Sequence, residues 1–340
     1  MQTKRIEYID ALRGFAMFLV VYSHIWTFCY HADDTRSFAN ILSNFFLVLF
    51  FFISGFVAYK KDTSLSAVST ARILKNKFVQ LIIPSVVFYV ILCAQFYNLS
   101  FVRLVARGEY WFTVQLFLFY LFYVLSSKLI RIEDHSVSWD FVLLGVAVFL
   151  YCISYSHVLI ERTQIGANLF LYMGMKYWRY YVFFCLGILV RKHFSRFVKL
   201  TDNGCIMAAF IILFFALIFL ADCIDFPMWK PIRMLVYGGV SVVVIFTFFR
   251  KYEGSFRSTN KFGYCIQYIG RRTLDIYMIH YFFLPRNLDS LGSLFNVYTN
   301  PSVEFFITTL LSLLVILVSI IVGNIIRLSP VLSYYLLGDK

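Results

Sequence analysis

Charge, proline and the short motifs of soluble enzymes are all scarce in this chain. Charged residues are 14% of the 340, against about 25% in soluble globular domains, which excludes an ordinary water-soluble fold. Six prolines are present, and no stretch rich in proline, glycine or serine divides the chain. Residues 1–340 are therefore read as a single integral-membrane domain with no appended soluble domain. There is no G-x-S-x-G elbow, no H-E-x-x-H, no P-loop and no G-x-G-x-x-G, so the usual soluble mechanisms have no support. The seven cysteines, Cys29, Cys93, Cys152, Cys185, Cys205, Cys223 and Cys265, show no C-x-x-C spacing. They are expected to be buried small apolar residues, with no disulfide framework and no metal site. No short apolar run with a small-residue cleavage site opens the chain, so the first helix is expected to remain in the mature protein.

What is abundant is apolar surface. Hydrophobic residues make up 61% and aromatics 20%, with a mean hydropathy of +0.76. A membrane span needs about 20 mostly apolar residues. Such runs lie near 9–30, 40–59, 78–98, 110–130, 140–158, 177–192, 203–221, 232–250, 273–290 and 303–326. The expected fold is all-α, a polytopic bundle of about ten transmembrane helices. An even count puts both termini on one side. Lysine and arginine accumulate in cytoplasmic loops. With the N-terminus inside, 21 fall on the inner side and nine on the outer, Arg13 set aside. Both termini are thus predicted to be cytoplasmic, in a multi-pass protein of the cytoplasmic (inner) membrane. The net charge of +13 belongs to these connections and to membrane lipid headgroups; without a recognition motif or basic stripe it implies no nucleic-acid partner. Arg72, Lys75 and residues 76–79 suggest a short amphipathic helix on the cytoplasmic surface ahead of the third span.

Against this background a few polar residues stand at membrane depth. Arg13 and His24 are eleven residues apart, which is about three helical turns, so both fall on one stripe roughly 16 Å apart along the axis. Asp10 lies three residues before Arg13, near the same stripe. Ionisable side chains inside a span are costly and mark function by default. The bland reading is an interfacial ion pair, Asp10 with Arg13, and a packed histidine. Beyond them stand Ser54 in the run 50–56, Trp111 and Gln115 in the fourth span, and Tyr277 and His280 in the ninth, three residues apart on one face. Ser54-Gly55 reads more simply as a close helix contact of small residues.

Several of these stretches together resemble the membrane acyltransferase 3 family. They are Asp10-x-Leu12-Arg13-Gly14 with ten residues between Arg13 and His24, the aromatic run ending Ser54-Gly55-Phe56, and the basic 72–77 segment leading to Pro84. Trp111-Phe112, Phe184-x-x-Gly187 and Gly270-Arg271-Arg272-Thr273-Leu274-Asp275-Ile276-Tyr277-Met278-Ile279-His280 complete the set. The chain departs from the family where Thr273 or Leu274 replaces a usual serine, and where Lys75 and Lys77 follow Arg72 in place of a second arginine. The resemblance implies a cytoplasmic acyl-CoA donor, usually acetyl-CoA, and an acceptor hydroxyl on a cell-surface glycan or a lipid-linked sugar, without a metal. On that footing His24 is expected to be the general base, or to carry the acyl group itself. Arg13 is expected to bind a donor phosphate with Asp10 holding its orientation, and Arg72 and Lys75 are further donor-site candidates. Tyr277 and His280 are expected to line the acceptor path or donate to the developing oxyanion, and Trp111 to serve as a substrate platform. The rival function is a transporter or flippase of a lipid-linked sugar, which would show paired or inverted repeats and broken helices; no repeat is visible. A membrane assembly subunit is the third class. Nothing in the sequence sets an oligomeric state.

Overall fold

A computed structural model describes residues 5–30, 45–59, 67–96, 109–129, 137–160, 174, 176–219, 229–297 and 301–339. Among them every regular element is a helix. In chain order these are α1 (Glu7–Cys29), α2 (Phe46–Ala58), α3 (Ala67–Phe96), α4 (Trp111–Leu129), α5 (Val137–Ile160), α6 (Tyr181–Lys192), α7 (Phe194–Asp202) and α8 (Gly204–Phe219). Then follow α9 (Trp229–Lys251), α10 (Lys261–Arg271), α11 (Thr273–Ile279), α12 (Asp289–Val297), α13 (Pro301–Ile326) and α14 (Pro330–Leu337). Short 3-10 turns occupy Lys176–Tyr180, Glu253–Phe256 and His280–Phe282. In hydrocarbon only a helix or a closed barrel satisfies every backbone group internally, and these apolar runs take the helix. Among the described residues four helices are long and apolar enough to cross a membrane: Glu7–Cys29, Thr70–Gln95, Pro231–Lys251 and Ser302–Ile326. They are five if the bent pair Phe194–Asp202 and Gly204–Phe219 is one span, and Phe46–Ala58, Trp111–Ser127 and Trp139–Tyr155 are shorter apolar helices. Lys4, Arg36, Lys60, Lys61, Arg103, Arg107, Arg131, Arg162, Cys223 and Lys340 lie outside the described residues.

The chain forms two compact units, one of residues 1–50 and 195–325, the other of 51–194 and 326–340. In the first, α1 and α10 cross at backbone contact. A Cβ at Gly14 would overlap the carbonyl oxygen of Ile266, and one at Gly270 the carbonyl oxygen of Asp10. Only glycine permits that approach. α9 lines the same end of α1 through Tyr8 on Phe246 (5.9 Å between ring centroids) and Phe15 on Phe249 (5.5 Å). Asn260 starts α10 by accepting from the Phe262 amide at 3.2 Å, an N-cap, and Gln267, buried on the α1 side, donates to the Phe256 carbonyl.

The second unit uses the same device. A Cβ at Gly55 would overlap the Phe184 carbonyl oxygen, and one at Gly187 the Phe52 carbonyl oxygen. This is the small-residue contact expected of Ser54-Gly55. Ser85 and Thr113 join α3 to α4 at 2.6 Å, and Asp140 holds Lys192 and His193, each at 2.7 Å, between α5 and α6. α14 begins on the Ser329 cap and ends at Gly338 in the left-handed region (φ 64°), packed on Gln80.

Three local expectations are revised. The short surface helix at 72–79 is no separate element: α3 runs unbroken from Ala67 through Arg72, Lys75 and Pro84. No glycine or proline interrupts 67–83, and Pro84 removes only the hydrogen bond to the Gln80 carbonyl, while the Ser85 hydroxyl donates to the Leu81 carbonyl (2.6 Å). The 273–290 span is broken into α11, the 280–282 turn and coil to Leu288, because Pro285 lacks an amide and Asn287 takes φ 60°. The 203–221 run forms the continuous helix α8; the 83° bend lies ahead of it, between α7 and α8, where Asn203 leaves the helix and caps α8 by accepting from Cys205 (3.0 Å) and Ile206 (3.3 Å). Cys29, Cys93 and Cys185 are buried, but Cys152, Cys205 and Cys265 are exposed on helix surfaces, where a small apolar group is equally at home.

Gly270→Ala is expected to destabilise the protein by about 2 kcal/mol, within the overpacking range of 1–3 kcal/mol, because the new methyl has only backbone to push against. Gly145→Ala, in open space on α5, should be neutral or stabilising. Thermal unfolding of both detergent-solubilised variants decides it, and equal melting temperatures would refute the backbone contact.

Candidate functional site

The site is built on α1. Its core face is fully withdrawn, with Ala11, Leu12, Ala16, Val21 and Tyr22 at zero exposure, and Asp10 and Ser23 are buried on the same helix. Near its start the Arg13 guanidinium stands 3.6 Å from the Asp10 carboxylate, one turn apart. The Arg13 side chain keeps about a third of its surface (32%), so it holds its acid and still faces outward. Asp10 also lies in the field of Arg5 and Arg271.

His24 meets His280 three turns further along. Gly14 and Gly270 face one another across the crossing, and each is followed ten residues later by a histidine. Ten residues rise about 15 Å in a helix. Two segments running the same way from a common contact therefore bring the two histidines level, and Nδ1 of His24 lies 2.7 Å from Nε2 of His280. The rings are nearly parallel (12°, centroids 5.0 Å apart).

One carbonyl orders the protons of this pair. Nδ1 of His280 is 2.9 Å from the Ile276 oxygen, and a carbonyl only accepts, so that nitrogen carries the hydrogen. In the neutral ring Nε2 of His280 is then an acceptor, and Nδ1–H of His24 donates to it. The remaining nitrogen of His24, Nε2, is left with its lone pair. His280 is fully buried and His24 half-buried. The pair is therefore a base with a free nitrogen, held by a second ring that is itself held by the backbone, the arrangement of an activated base. Phe28 and Tyr281 flank His24 at 5.4 and 5.1 Å, and Tyr277 lies 6.1 Å from His280.

The first unit thus brings together Asp10 with Arg13, and His24 with His280 and Tyr277. Both ring nitrogens of His280 are engaged, which directs it to His24 and away from a substrate oxyanion. Arg72, Lys75 and Trp111 belong to the second unit. Arg72 and Lys75 are exposed on one side of α3, one turn apart. Trp111 lies flat on Tyr177, with ring centroids 3.8 Å apart and 10° between planes. The sequence reading placed both histidines but missed their bond to one another. The available signal was the shared spacing, glycine to histidine in ten, in 14–24 and 270–280.

A family profile described as an acyltransferase domain, that of acyltransferase 3, matches residues 6–322. No curated protein and no solved structure matches the chain.

The tautomers can be read directly. In ¹⁵N-histidine NMR of the protein at pH 8, with His24→Ala and His280→Ala for assignment, both rings are expected to be neutral and protonated at Nδ1. A His24 ring protonated at Nε2 would contradict the hydrogen-bond order.

Proposed function

The chain belongs to the membrane acyltransferase 3 family, and from that premise we propose that it transfers an acyl group, acetyl in the first instance, from a cytoplasmic acyl-CoA to a hydroxyl of a cell-surface glycan or lipid-linked sugar. The observation that carries the chemistry is the 2.7 Å contact between His24 and His280, which leaves His24 Nε2 free to take a proton. In the reaction the acceptor hydroxyl gives its proton to that nitrogen as its oxygen attacks the thioester carbonyl. The carbon–sulfur bond breaks, and the CoA thiolate leaves and recovers the proton from His24. While His24 is an imidazolium, its Nδ1–H bond to neutral His280 becomes charge-assisted and stronger. General-base catalysis of this kind is worth on the order of 10²- to 10⁴-fold.

Arg13 is assigned to a phosphate of the donor. Its partly exposed fork, steadied by Asp10, supports that role, and the distance to His24 of roughly 16 Å along α1 matches an extended cofactor with its anionic end at the membrane surface. Arg72 and Lys75 remain further donor-side candidates, Trp111 and Tyr277 acceptor-side ones, and His280 is assigned to positioning His24. About ten spans with both termini cytoplasmic, in the inner membrane, complete the proposal. Its support is the charge gathered at one end of the first unit, where α1 begins and α9 ends: Arg5, Arg13, Arg250, Lys251, Arg257, Arg271 and Arg272. The break between α10 and α11 and the bend before α8 are features that a transporter would share. Family membership and the ordered histidine pair favour acyl transfer.

The test is transfer from labelled acetyl-CoA to a cell-envelope glycan fraction by purified protein in lipid vesicles. The parent should label glycan and His24→Ala should not; equal labelling would remove His24 from the chemistry. His280→Ala is expected to lower kcat by about 10- to 100-fold while leaving the KM for acetyl-CoA unchanged, since only the base loses its orientation. Arg13→Ala should raise that KM about tenfold or more, the worth of a charge-assisted hydrogen bond, and an unchanged KM would count against it as a donor ligand.

A further inference from the structure

Among the described residues of the second unit, one arginine stands on aromatic rings without an acid. Arg179 lies in the 3-10 turn Lys176–Tyr180, immediately ahead of the apolar helix α6. Its Nη2 donates to the Tyr180 hydroxyl at 3.4 Å, near the limit of a hydrogen bond. Its guanidinium carbon stands 5.2 Å from the Tyr180 ring and 5.8 Å from the Tyr155 ring. Nε is buried without a partner, and among the described residues no carboxylate lies within ion-pair distance of it. Other cations of this unit are matched differently: Lys192 sits on Asp140 at 2.7 Å and Arg327 on Asp339 at 2.9 Å. A half-buried guanidinium given only rings and the hydroxyls of Tyr180 and Tyr155 has not recovered its hydration. Nε and Nη2 form the side-on edge that grips an oxyanion with two parallel hydrogen bonds. Here Nε is unused, and Nη2 reaches the Tyr180 hydroxyl only at 3.4 Å.

The surroundings indicate what else the ligand carries. Tyr180, the residue under Arg179, has its ring 6.1 Å from Trp111, and Trp111 is stacked on Tyr177. Phe51 backs Tyr180 at 5.2 Å and 24°. Stacking on Tyr177 fixes the indole at little further entropic cost, and a rigid aromatic face suits the aliphatic side of a sugar ring. Cation and aromatic wall share Tyr180, so one ligand can meet both.

We propose that Arg179 binds the phosphate of a lipid-linked sugar phosphate whose sugar ring packs on Trp111, the partly exposed member of the wall it forms with the buried Tyr177 and Tyr180. The inference rests on the acceptor half of the function proposed above and names its class: the acceptor is anionic at the lipid–sugar junction. In the proposed orientation the turn before α6 faces the outer side, where such an acceptor would stand.

The test measures binding and needs no turnover. Full-length protein in phosphatidylcholine nanodiscs is titrated with a prenyl-phosphate glucose and with the matched uncharged prenyl glucoside. The parent should prefer the phosphate by tenfold or more. Arg179→Gln should bind both probes as the parent binds the glucoside, and Arg179→Lys, which keeps charge but not the fork, should retain a reduced preference and a native melting temperature. Trp111→Ala should weaken both probes alike. His24→Ala should bind as the parent does, so a failure of acyl transfer with this preference intact strikes the catalytic proposal and leaves this one standing. A parent that binds the two probes equally, or an Arg179→Gln variant that keeps the preference, overturns the inference. So does displacement of the phosphate probe by an equal mole fraction of phosphatidylglycerol, which would make the site a bulk lipid headgroup contact.

Discussion

The backbone contact of Gly14 with Gly270 sets the geometry on which the histidine pair depends. Apolar helices gain no hydrophobic driving force from each other in lipid, so close packing and hydrogen bonds must hold them. Two facing glycines bring α1 and α10 within reach of each other's carbonyls. A side chain at either position would push the axes apart, and a hydrogen bond of 2.7 Å between rings ten residues further on would open. The contact also brings the turn that follows α10 alongside α1, with α11 carrying His280 to the level of His24.

The second unit shows the same device put to a different end. Gly55 and Gly187 let α2 and α6 touch through the carbonyls of Phe184 and Phe52, with the Arg191 guanidinium over the Phe56 ring beside them (5.0 Å). Several polar groups around it pair locally: Tyr120 donates to the Ser54 carbonyl at 3.2 Å, and Ser85 meets Thr113. Polar groups at membrane depth must find partners inside the protein. In this unit they mostly do, by hydroxyls returning to carbonyls and by the Asp140 cluster. That background is what gives Arg179 its meaning, since an uncompensated cation stands out only where its neighbours are matched.

Composition made the helical, membrane-embedded class plain, because hydropathy and charge are additive along a chain. The stripe of Asp10, Arg13 and His24 was equally legible, because it needs only the period of one helix. The partnership of His24 with His280 was not, since it depends on which two segments touch and in which direction they run, and periodicity within a segment carries neither. The break in 273–290 escaped for a related reason. These residues are apolar enough to read as a span, but Pro285 with Asn287 ends the helical path. A window average weighs such residues by hydropathy, whereas they act through one hydrogen bond or one dihedral. At Pro84 the same averaging misleads in the opposite direction: the proline looks like a boundary, yet losing a single backbone bond leaves α3 continuous.

That the partner of His24 is a second imidazole follows from where it stands. A carboxylate could orient the base as well and would stabilise the imidazolium more. At membrane depth, however, it would be a buried charge before the reaction began, costing several kcal/mol unless paired. His280 accepts the same hydrogen bond while neutral. Its own proton is committed to the Ile276 carbonyl, so it has a lone pair to offer and no second tautomer to drift into. Asp10 and Asp275 stand about four turns before His24 and about a turn and a half before His280, beside Arg13 and Arg272, both at 3.6 Å. The charge of these two acids is thereby balanced by arginines, and the paired imidazoles stay neutral until a proton moves.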